Sequence, residues 1–481
     1  MKLHETHRFF SLDPSSAEPL YRQIYTRCCA SIAEGLLKPG DRLPSARALA
    51  IELGLARGTV ETAYSLLTAE GYTQTRGSAG TVVSPYLLLA GHMRLPVPQT
   101  DTAAASADSS AAWKILQPVS SILPLQMGLP AMDAFPRKVW ARVGARHMRA
   151  MGVLDMAYPP AHGSERLRSA IAAYLQVARG IACTSSQVFV TAGYRNTLEL
   201  IVRAFLKTGD SVLVEDPGYP PARQLLANSQ ITPVSVPVDG EGMQIAGRFG
   251  CEKPASAAIV TPAHQSPLCV TMSLPRRLAL LDWASQHKSW IIEDDYDGEY
   301  RYVNRPLPAL KSLDRDGRVL YAGSFSKVLV PGIRLGYVVV PLSEVERFER
   351  IVNIFSAGSA EFLQLIVADF MINGHFTRHI HRMRKLYAER RELTVAGLRN
   401  VMGQRIQIDP QPGGMHLVLR LNGGIDDTSL AERMLQEGMY AQALGNWTFE
   451  VEKSPALLIG FTNVGSAAVA EKLADRILKL V

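Results

Sequence analysis

The sequence predicts an α/β protein with a small winged helix-turn-helix head and a large domain built on a mostly parallel sheet. Residues 20–83 combine short helical segments, a glycine turn and a glycine-rich hairpin, as in a winged helix. From residue 124 onward, short β-rich apolar runs alternate with helical stretches, which is typical of a sheet covered by helices on both faces. We therefore expect a head in residues 1–85, a flexible linker in 86–123 and a second domain in 124–481.

Length, charge and cysteine usage limit the possible classes of protein. The 481 residues are too many for one core, and a hydrophobic content of 47% is ample for two. The net charge of +7 permits an anionic partner, but residues 1–85 hold nine Lys or Arg against eight Asp or Glu. The five cysteines lack the spacing of a zinc site or a disulfide framework, and neither a signal peptide nor an apolar run of about 18 residues is found. We expect a cytoplasmic protein with no metal and no membrane partner.

The head is predicted to contain three helices and a wing. In the first helix, apolar residues recur every four positions from Leu20. Ser45 is placed to cap the second helix and Gly54 to end it. The third helix runs to Gly71, and residues 72–83 follow as a hairpin. Two helices joined by a tight turn and followed by a hairpin have the geometry of a winged helix-turn-helix.

The third helix of the head would enter the major groove of DNA with its N-terminal end. The exposed Arg57 and Thr59 at that end are candidates for base contacts. Arg47 is a candidate for phosphate contact, and Arg76 at the hairpin tip for phosphate or the minor groove. Each arginine alone would be an ordinary surface side chain. Together with Ser45 they form the predicted DNA-binding set.

The order of short motifs in the head carries a family resemblance. LPSxRxLA, LG, TV, AY, EGY and a glycine-rich wing follow one another across residues 18–85. In this order they resemble the GntR family of winged-helix regulators, which implies double-stranded DNA as a partner. The chain departs from that family at Ala56, where a serine is usual, and at Gly58. A lost cap costs about 0.5–2 kcal/mol and a glycine up to about 1 kcal/mol, so we expect the third helix to be ordered only on DNA.

Polar residues of the second domain follow the ends of predicted strands. Those strands are residues 188–191, 211–214, 257–261, 290–293, 319–322 and 335–340. Ligands of such sheets lie beyond the carboxyl ends of the strands. A helix start at Gly193, carboxylates and a phenol in residues 293–301, and an amine with two hydroxyls in residues 324–327 all lie there. Arg334 lies seven residues after the amine.

These groups match the chemical needs of pyridoxal phosphate (PLP). An aldehyde is trapped by a lysine amine whose pKa is lowered by burial, and a protonated ring nitrogen needs a fixed carboxylate. The ring hydroxyl needs a donor, and the phosphate needs an arginine, hydroxyls and a helix start. Lys327, Asp294, Tyr296 and Arg334 can fill these four roles. Each alone would be a surface, ion-paired or turn residue; their joint placement favours the cofactor.

Six segments of the second domain carry a second resemblance. They read LPAMDAFP (129–136), VEDPGY (214–219), TPAHQSP (261–267), EDDYDGEY (293–300), SFSK (324–327) and PGGMH (412–416). Residues 124–481 resemble the fold-type I aminotransferases, and joined to the head they resemble the MocR (GabR-like) regulators. The resemblance implies a large PLP-dependent transferase fold, a smaller C-terminal α/β subdomain and a homodimer. It also implies that Lys327 forms the Schiff base, an internal aldimine, with PLP.

The same resemblance assigns further cofactor contacts. It implies that Asp294 pairs with the ring nitrogen and Tyr296 with the ring oxygen, and that Tyr219 lies over the ring. The phosphate would be held by Gly193, Tyr194, Ser324, Ser326 and Arg334. His264 would line the pocket, with a hydrogen-bonded structural histidine as an equal alternative. Tyr158 would reach the phosphate of the neighbouring subunit.

Two departures from the aminotransferase pattern bear on the effector. Leu268 and Cys269 follow Pro267 where the family often has a threonine and a glycine, which predicts a changed pocket wall. Asn446 stands near the place of an arginine that binds amino-acid carboxylates in relatives. Without that clamp a carboxylate loses its strongest partner. This favours PLP itself, an amine or a sulfonate as effector over a standard α-amino acid.

Two functions remain open at this stage. In the first, the chain is a transcription regulator whose aminotransferase-like domain binds PLP. It senses either PLP itself or an amine or amino-acid-like effector through an aldimine at Lys327, and the arrangement of the DNA heads changes in response. In the second, it is an active aminotransferase with a vestigial head. Sustained turnover with a keto-acid acceptor, or salt-dependent specific DNA binding, separates the two.

Overall fold

The structure of the chain, a computed structural model, consists of two units that are described separately. They are Met1–Ala104 and Ala105–Val481. The described residues are 12–13, 16, 18–75, 80–85, 122–246, 254–302, 308–356, 358–411 and 413–481. The expected linker, apart from its last two residues, lies outside the described residues.

Three helices and a hairpin form the head. They are α1 (Leu20–Ala33), α2 (Ala46–Leu53), α3 (Arg57–Ala69), β1 (Thr73–Thr75) and β2 (Thr81–Val83), with the two strands antiparallel. The Ser45 hydroxyl accepts the N–H of Ala48 at 3.1 Å and caps α2. Gly54 ends α2 with a φ of 66°, a left-handed conformation that glycine adopts at no steric cost. The predicted winged helix-turn-helix is confirmed.

The three helices of the head share one apolar core. Ile24 of α1, Leu49 of α2 and Val60 of α3 are fully buried in it. Burying a side chain of this size is worth about 1.5–3 kcal/mol, which outweighs a missing helix cap. Ala56 provides no side-chain cap, as the sequence indicates, and the structure has α3 as a helix over Arg57–Ala69. The expectation that this helix orders on DNA stays a prediction.

The second unit contains a large sheet, a small sheet and eleven named helices in its described part. The helices are α4 (Arg137–Ala150), α5 (Glu165–Arg179), α6 (Tyr194–Phe205), α7 (Pro220–Asn228), α8 (Leu274–His287), α9 (Phe325–Val328), α10 (Val345–Phe355), α11 (Glu361–Ile372), α12 (His375–Met402), α13 (Asp427–Gln436) and α14 (Ala467–Leu478). The strands are β3 (Val188–Thr191), β4 (Ser211–Asp216), β5 (Thr232–Asp239), β6 (Gly242–Met243), β7 (Ala257–Val260), β8 (Trp290–Asp295), β9 (Val319–Ser324), β10 (Gly336–Val339), β11 (Ile406–Ile408), β12 (His416–Leu421), β13 (Gln442–Ala443) and β14 (Ala456–Gly460). Short 3-10 turns lie at Met132–Ala134, Leu154–Met156, Ser185–Gln187, Leu310–Leu313, Pro331–Ile333, Leu342–Glu344, Gly403–Arg405 and Leu444–Trp447.

The large sheet has the strand order β3-β10-β9-β8-β7-β4-β5-β6. β9, β8, β7, β4 and β5 run parallel, whereas β10 is antiparallel to β3 and β9, and β6 to β5. The mostly parallel sheet and all six predicted strands are confirmed. β5 and β6 were not predicted; β5 carries two prolines, which count against a strand in a sequence pattern.

Helices cover both faces of the large sheet. Along β9, Leu320 packs with helices α6 and α10 on one face. Tyr321, the next residue, packs with α5 and α11 on the other, because successive side chains of a strand point to opposite faces. With both faces covered, the ends of the parallel strands are left as the place for a ligand.

The C-terminal part of the unit forms the predicted smaller α/β subdomain. Its antiparallel sheet has the order β11-β12-β14-β13. Leu417 and Leu419 of β12 and Leu457 of β14 pack against α12 and α14 in a separate apolar cluster. Among the helices in the described ranges, none is long and apolar enough to cross a membrane.

Candidate functional site

A cavity of about 410 Å³ lies at the carboxyl ends of β8 and β9. The strands are in register with Asp294 opposite Ala322, so that the segments after both strands open on one side of the sheet. Eight of the predicted cofactor residues line the cavity, namely Tyr194, Tyr219, Asp294, Tyr296, Ser324, Ser326, Lys327 and Arg334. Residues far apart in the sequence are therefore brought together as the strand-end pattern indicates.

The amine of Lys327 is held in place by a glycine loop. Lys327 lies in α9, the short helix that follows β9, and its Nζ donates to the Gly128 carbonyl at 2.7 Å. A Cβ at residue 128 would lie 2.6 Å from Nζ and would displace the amine, and the φ of 79° at this residue favours glycine. Burial lowers the pKa of Lys327, and the carboxylates of Asp297 and Asp294 oppose that shift. A lowered pKa makes the neutral, nucleophilic amine more accessible.

Asp294 is a buried carboxyl group beside a phenol. It is 7% exposed, and burial raises its pKa well above the usual value, while a hydrogen bond with Tyr194 lowers it. A buried carboxylate gains most from a cationic partner, which would restore its ionised form. Asp294 is thus chemically suited to a protonated ring nitrogen.

Asp295, the next residue, points away from the cavity and fixes the turn that follows β8. Its Oδ1 accepts from Arg179 Nη2 at 3.0 Å, and its Oδ2 accepts from the Tyr321 hydroxyl at 2.7 Å. Arg179 is 2% exposed and also donates to the Gly298 carbonyl at 3.0 Å. This buried network holds both ends of the turn that carries the next cavity residues.

His264 lies behind the cavity wall and supports that turn. Its Nδ1 lies 2.9 Å from the Tyr296 hydroxyl and 3.0 Å from Asp297 Oδ1. Burial alone would lower the pKa of His264, but the carboxylate of Asp297 raises it well above the usual value. His264 is not among the lining residues of the 410 Å³ cavity, whereas Asp297, which sequence reasoning did not single out, is. The geometry favours the structural alternative for this histidine.

The unusual loop at Leu268 and Cys269 also lies behind the wall. Cys269 is 1% exposed, and its Sγ lies 3.1 Å from Nε2 of His416, an imidazole that does line the cavity. Burial raises the pKa of the Cys269 thiol, but the neighbouring imidazoles outweigh it and bring the pKa to about 7. Cys269 also packs with Trp447, another lining residue. The departure from the family thus acts on the wall through the neighbours of Cys269.

Arg334 and the start of α6 form the anion-binding end of the cavity. α6 begins directly after Gly193, and a Cβ there would lie 3.4 Å from the Arg334 guanidinium. That guanidinium donates to the Ala192 carbonyl at 3.2 Å. Ser326 N–H donates to Ser324 Oγ at 3.2 Å, and both serines line the cavity. A guanidinium, two hydroxyls and the N–H groups of a helix start are suited to a phosphate.

Aromatic rings form another wall of the cavity. The ring centroid of Tyr219 lies 6.0 Å from that of Tyr194 and 5.9 Å from that of Trp447. Trp447 Nε1 donates to Gln442 at 2.9 Å, which fixes the indole. The buried carboxylate of Asp216, at the end of β4, accepts N–H groups of residues 449–451. This contact joins the small subdomain to the large sheet at the cavity.

Besides Gly193 and His264, two more positions singled out in the sequence do not line the cavity. Tyr158 is fully exposed, and its predicted contact concerns a second subunit. Asn446 is not among the lining residues, while its neighbour Trp447 is. Asn446 therefore does not face the cavity, whereas the next residue of the same 3-10 turn does.

The predicted DNA-contact residues of the head are exposed or half-buried. Arg57 at the start of α3 forms a 2.7 Å ion pair with Glu61 one turn on. Thr59 is half-buried, and Arg47 on α2 is exposed. Arg76 lies outside the described residues. An exposed ion pair is weak, so Arg57 can exchange its partner for DNA at little cost.

Known proteins match both units of the chain. The model of the gntR family of bacterial regulatory proteins matches residues 20–83, and that of aminotransferase class I and II matches residues 124–477. The probable rhizopine catabolism regulatory protein MocR of Rhizobium meliloti is 35% identical, over 96% of this chain and 93% of its own. The pyridoxine biosynthesis regulator PdxR of Corynebacterium glutamicum is 31% identical, over 94% of each chain. The multiple substrate aminotransferase of Thermococcus profundus superposes with a TM-score of 0.69 at 27% identity, over 79% of this chain and 95% of its own.

These matches define a class of protein in which a DNA-binding head is joined to an aminotransferase-like domain. The chain belongs to the MocR family of gntR-type transcriptional regulators. It is a DNA-binding regulator, and its cofactor is pyridoxal phosphate. The cavity fits that cofactor on its own chemistry. Gly128 leaves room for the Lys327 amine, Asp294 is a buried acid that forms no ion pair among the described residues, and Arg334 lies at a helix start.

Proposed function

We propose that the chain senses an amine-type effector at the Lys327 cavity and thereby changes how its heads engage DNA. The observation that carries the proposal is that eight of the predicted cofactor-binding residues line one cavity, in a chain whose head also contains the helix expected to contact DNA. A ligand can only shift an equilibrium if it binds one arrangement better than the other. The effector must therefore discriminate between two arrangements of the heads.

Each side chain of the cavity has a part in this proposal. When bound, pyridoxal phosphate supplies an aldehyde that reacts with amines. Lys327 would hold the cofactor through its amine, Asp294 would neutralise the ring nitrogen, and Tyr296, oriented by His264, would donate to the ring oxygen. Phosphate contacts would come from Gly193, Tyr194, Ser324, Ser326 and Arg334, and Tyr219 would cover the ring.

We further propose that the regulator works as a cytoplasmic homodimer. Residues 1–85 would bind DNA through Ser45, Arg47, Arg57, Thr59 and Arg76. Residues 86–123 would link this head to residues 124–481, which would bind cofactor and effector. The fully exposed Tyr158 supports a dimer, because a tyrosine without cover is suited to reach a second subunit. Two linked heads gain affinity for paired half-sites through effective concentration.

A working aminotransferase with a vestigial head remains the second candidate. The presence of Lys327, Asp294 and Tyr296 in one cavity favours it, since these groups would serve catalysis as well as sensing. Steady turnover of an amine donor with a keto-acid acceptor, unaffected by deletion of the head, would support it.

The proposed coupling can be tested from the cofactor side. If the cofactor changes DNA affinity by some factor, DNA must change cofactor affinity by the same factor. We expect the PLP dissociation constant of the full chain, measured by absorbance, to shift about 5- to 150-fold when its own upstream DNA is added. Unrelated DNA of equal length is the control. An identical constant with and without upstream DNA would reject coupling between the two units.

A further inference from the structure

Arg195 is a cavity residue to which the sequence assigns no role. It is the second residue of α6, directly after Tyr194, and its side chain is exposed and lines the 410 Å³ cavity. It also lines an adjoining outer groove on the same helix. Arg195 therefore borders both the cavity that holds Lys327 and the solvent.

Among the described residues, neither Arg195 nor Arg334 takes part in an ion pair, although both line the same cavity. Arg203, farther along α6, contrasts with them: it pairs with Glu199 at 2.9 Å. Two unpaired guanidiniums in one cavity can accept two anionic groups.

The two guanidiniums serve different parts of the cavity. Arg334 lies against Gly193 and the start of α6, where hydroxyls of two serines complete a phosphate site. Arg195 lies instead on the aromatic side, next to Tyr219. Burial raises the pKa of Tyr219, and the hydrogen-bonding guanidinium of Arg195 opposes that shift more strongly than Arg334 does. Arg195 thus lies within hydrogen-bonding reach of the Tyr219 hydroxyl, on a different side of the cavity from the serines.

We propose that Arg195 binds an acidic group of the effector, a carboxylate or sulfonate, at the opposite end of the molecule from the amine that reaches Lys327. The inference rests on the proposed function and names the class of its effector. Lys327 is half-buried beside Gly128, whereas Arg195 is exposed, and the two residues lie on different helices, α9 and α6. The proposed effector therefore carries a spacer between its two charged groups. The spacer lies along the rings of Tyr219 and Trp447.

This assignment also accounts for the missing arginine near Asn446. That position does not line the cavity, and Trp447 occupies the wall. A guanidinium from a different element, at the start of α6, then supplies the planar pair of donors that a carboxylate or sulfonate needs. The side chain that selects the effector thus comes from α6, which packs on the large sheet, and not from the small subdomain.

Binding of matched amines to the cofactor-loaded full chain tests the proposal. The probes are 3-aminopropane-1-sulfonate against propylamine and 5-aminopentanoate against pentylamine, with dissociation constants read from the change in cofactor absorbance. We expect the acidic member of at least one pair to bind more tightly to the wild type. Arg195→Gln should weaken that member about 10- to 100-fold and leave the plain amine unchanged, as loss of a charge-assisted hydrogen bond does. Arg203→Gln, on the same helix, is the matched control and should change neither.

Three results would overturn the proposal. In the first, the wild type binds acidic and plain amines equally. In the second, Arg195→Gln weakens both members of a pair alike or neither. In the third, Arg195→Gln weakens pyridoxal phosphate but not unphosphorylated pyridoxal, which would assign Arg195 to the cofactor phosphate. Arg195→Lys, which keeps the charge but not the planar pair of donors, should give an intermediate loss for the acidic probe. A wild type that takes up no cofactor would instead reject the proposed function.

Discussion

At the scale of single residues, Lys327 carries the cofactor chemistry. Its amine is positioned by the Gly128 carbonyl, and burial lowers its pKa. We expect Lys327→Ala to abolish the visible absorbance and the mass increment of covalently attached pyridoxal phosphate, because alanine offers no nucleophile. Lys385→Ala, at an exposed position of α12, is the control and should keep both. Persistence of the absorbance in Lys327→Ala would place the attachment elsewhere.

His379 makes the stability of the fold depend on pH. It lies on α12 and contacts α9, the short helix that carries Lys327. Its Nε2 donates to the Val328 carbonyl at 3.1 Å, and burial, helped by Arg382, lowers the pKa of His379 to about 4. The unfolded chain takes up the proton first, near pH 6.5, so this contribution to stability is present at pH 7 and is lost as pH falls from 6.5 toward 4. We expect the unfolding free energy of wild type minus that of His379→Gln to fall by about 2 kcal/mol between pH 7 and 5.

Urea unfolding at the two pH values measures that difference. His381→Gln, an exposed neighbour on α12, is the control and should follow the wild type at both pH values. A difference between wild type and His379→Gln that is equal at pH 7 and pH 5 would contradict a depressed pKa at this site.

Part of the cavity could be predicted residue by residue and part could not. Asp294 lies at the end of the apolar strand β8, and Lys327 lies just after the apolar strand β9. Parallel strands bring such positions to one edge of the sheet. Trp447 and Arg195 escaped prediction because one lies in a short irregular turn and the other was hidden by the phosphate-type pattern around it. Asp297 was read as part of an acidic run, although its place in a turn after β8 sets it apart from Asp295.

At the scale of elements, α3 is formed but lacks a side-chain cap. Its N-cap is Ala56, whereas α2 is capped by Ser45. We expect Ala56→Ser to stabilise the head by about 0.5–2 kcal/mol, because a hydroxyl would satisfy an N–H group in the first turn. Ser45→Ala should destabilise it by a similar amount. Chemical unfolding of the full chain, followed through the transition of the head, measures both changes in unfolding free energy. No change in either variant would mean that the helix caps do not limit the stability of the head.

The start of α3 is also the element expected to read DNA. Arg57 is held by Glu61 in an exposed ion pair. We expect Arg57→Ala to weaken binding to a specific site by about 1–3 kcal/mol if it contacts a base, with relaxed specificity at one position. A phosphate contact would instead lower the salt slope by about one and weaken all sequences alike. Fluorescence anisotropy against specific and random DNA distinguishes these outcomes, and unchanged binding to both would remove Arg57 from the interface.

Element prediction succeeded where one pattern dominated. The strands that end at the cavity are short apolar runs, and they lie where predicted. The antiparallel direction of β10 could not be predicted, because an apolar run does not record strand direction. For α3, the sequence correctly indicated the missing cap but not the core burial that offsets it, since the partners of Val60 come from other helices.

At the scale of the whole molecule, the chain joins a reader of DNA to a cavity for a reactive cofactor. Each unit has its own core and its own polar site. A regulator of this design needs an equilibrium between head arrangements that the cofactor or effector can bias. The size of the shift in that equilibrium distinguishes a sensor from an enzyme whose head does not regulate transcription.

The most direct measurement is binding of the full chain to its own upstream DNA at two salt concentrations, with and without pyridoxal phosphate. We expect tight, sequence-specific binding that weakens with salt, as phosphate contacts require, and a several-fold change in affinity on addition of the cofactor. Absence of specific binding in both states would contradict a cofactor-linked regulator and favour an aminotransferase whose head has lost its role.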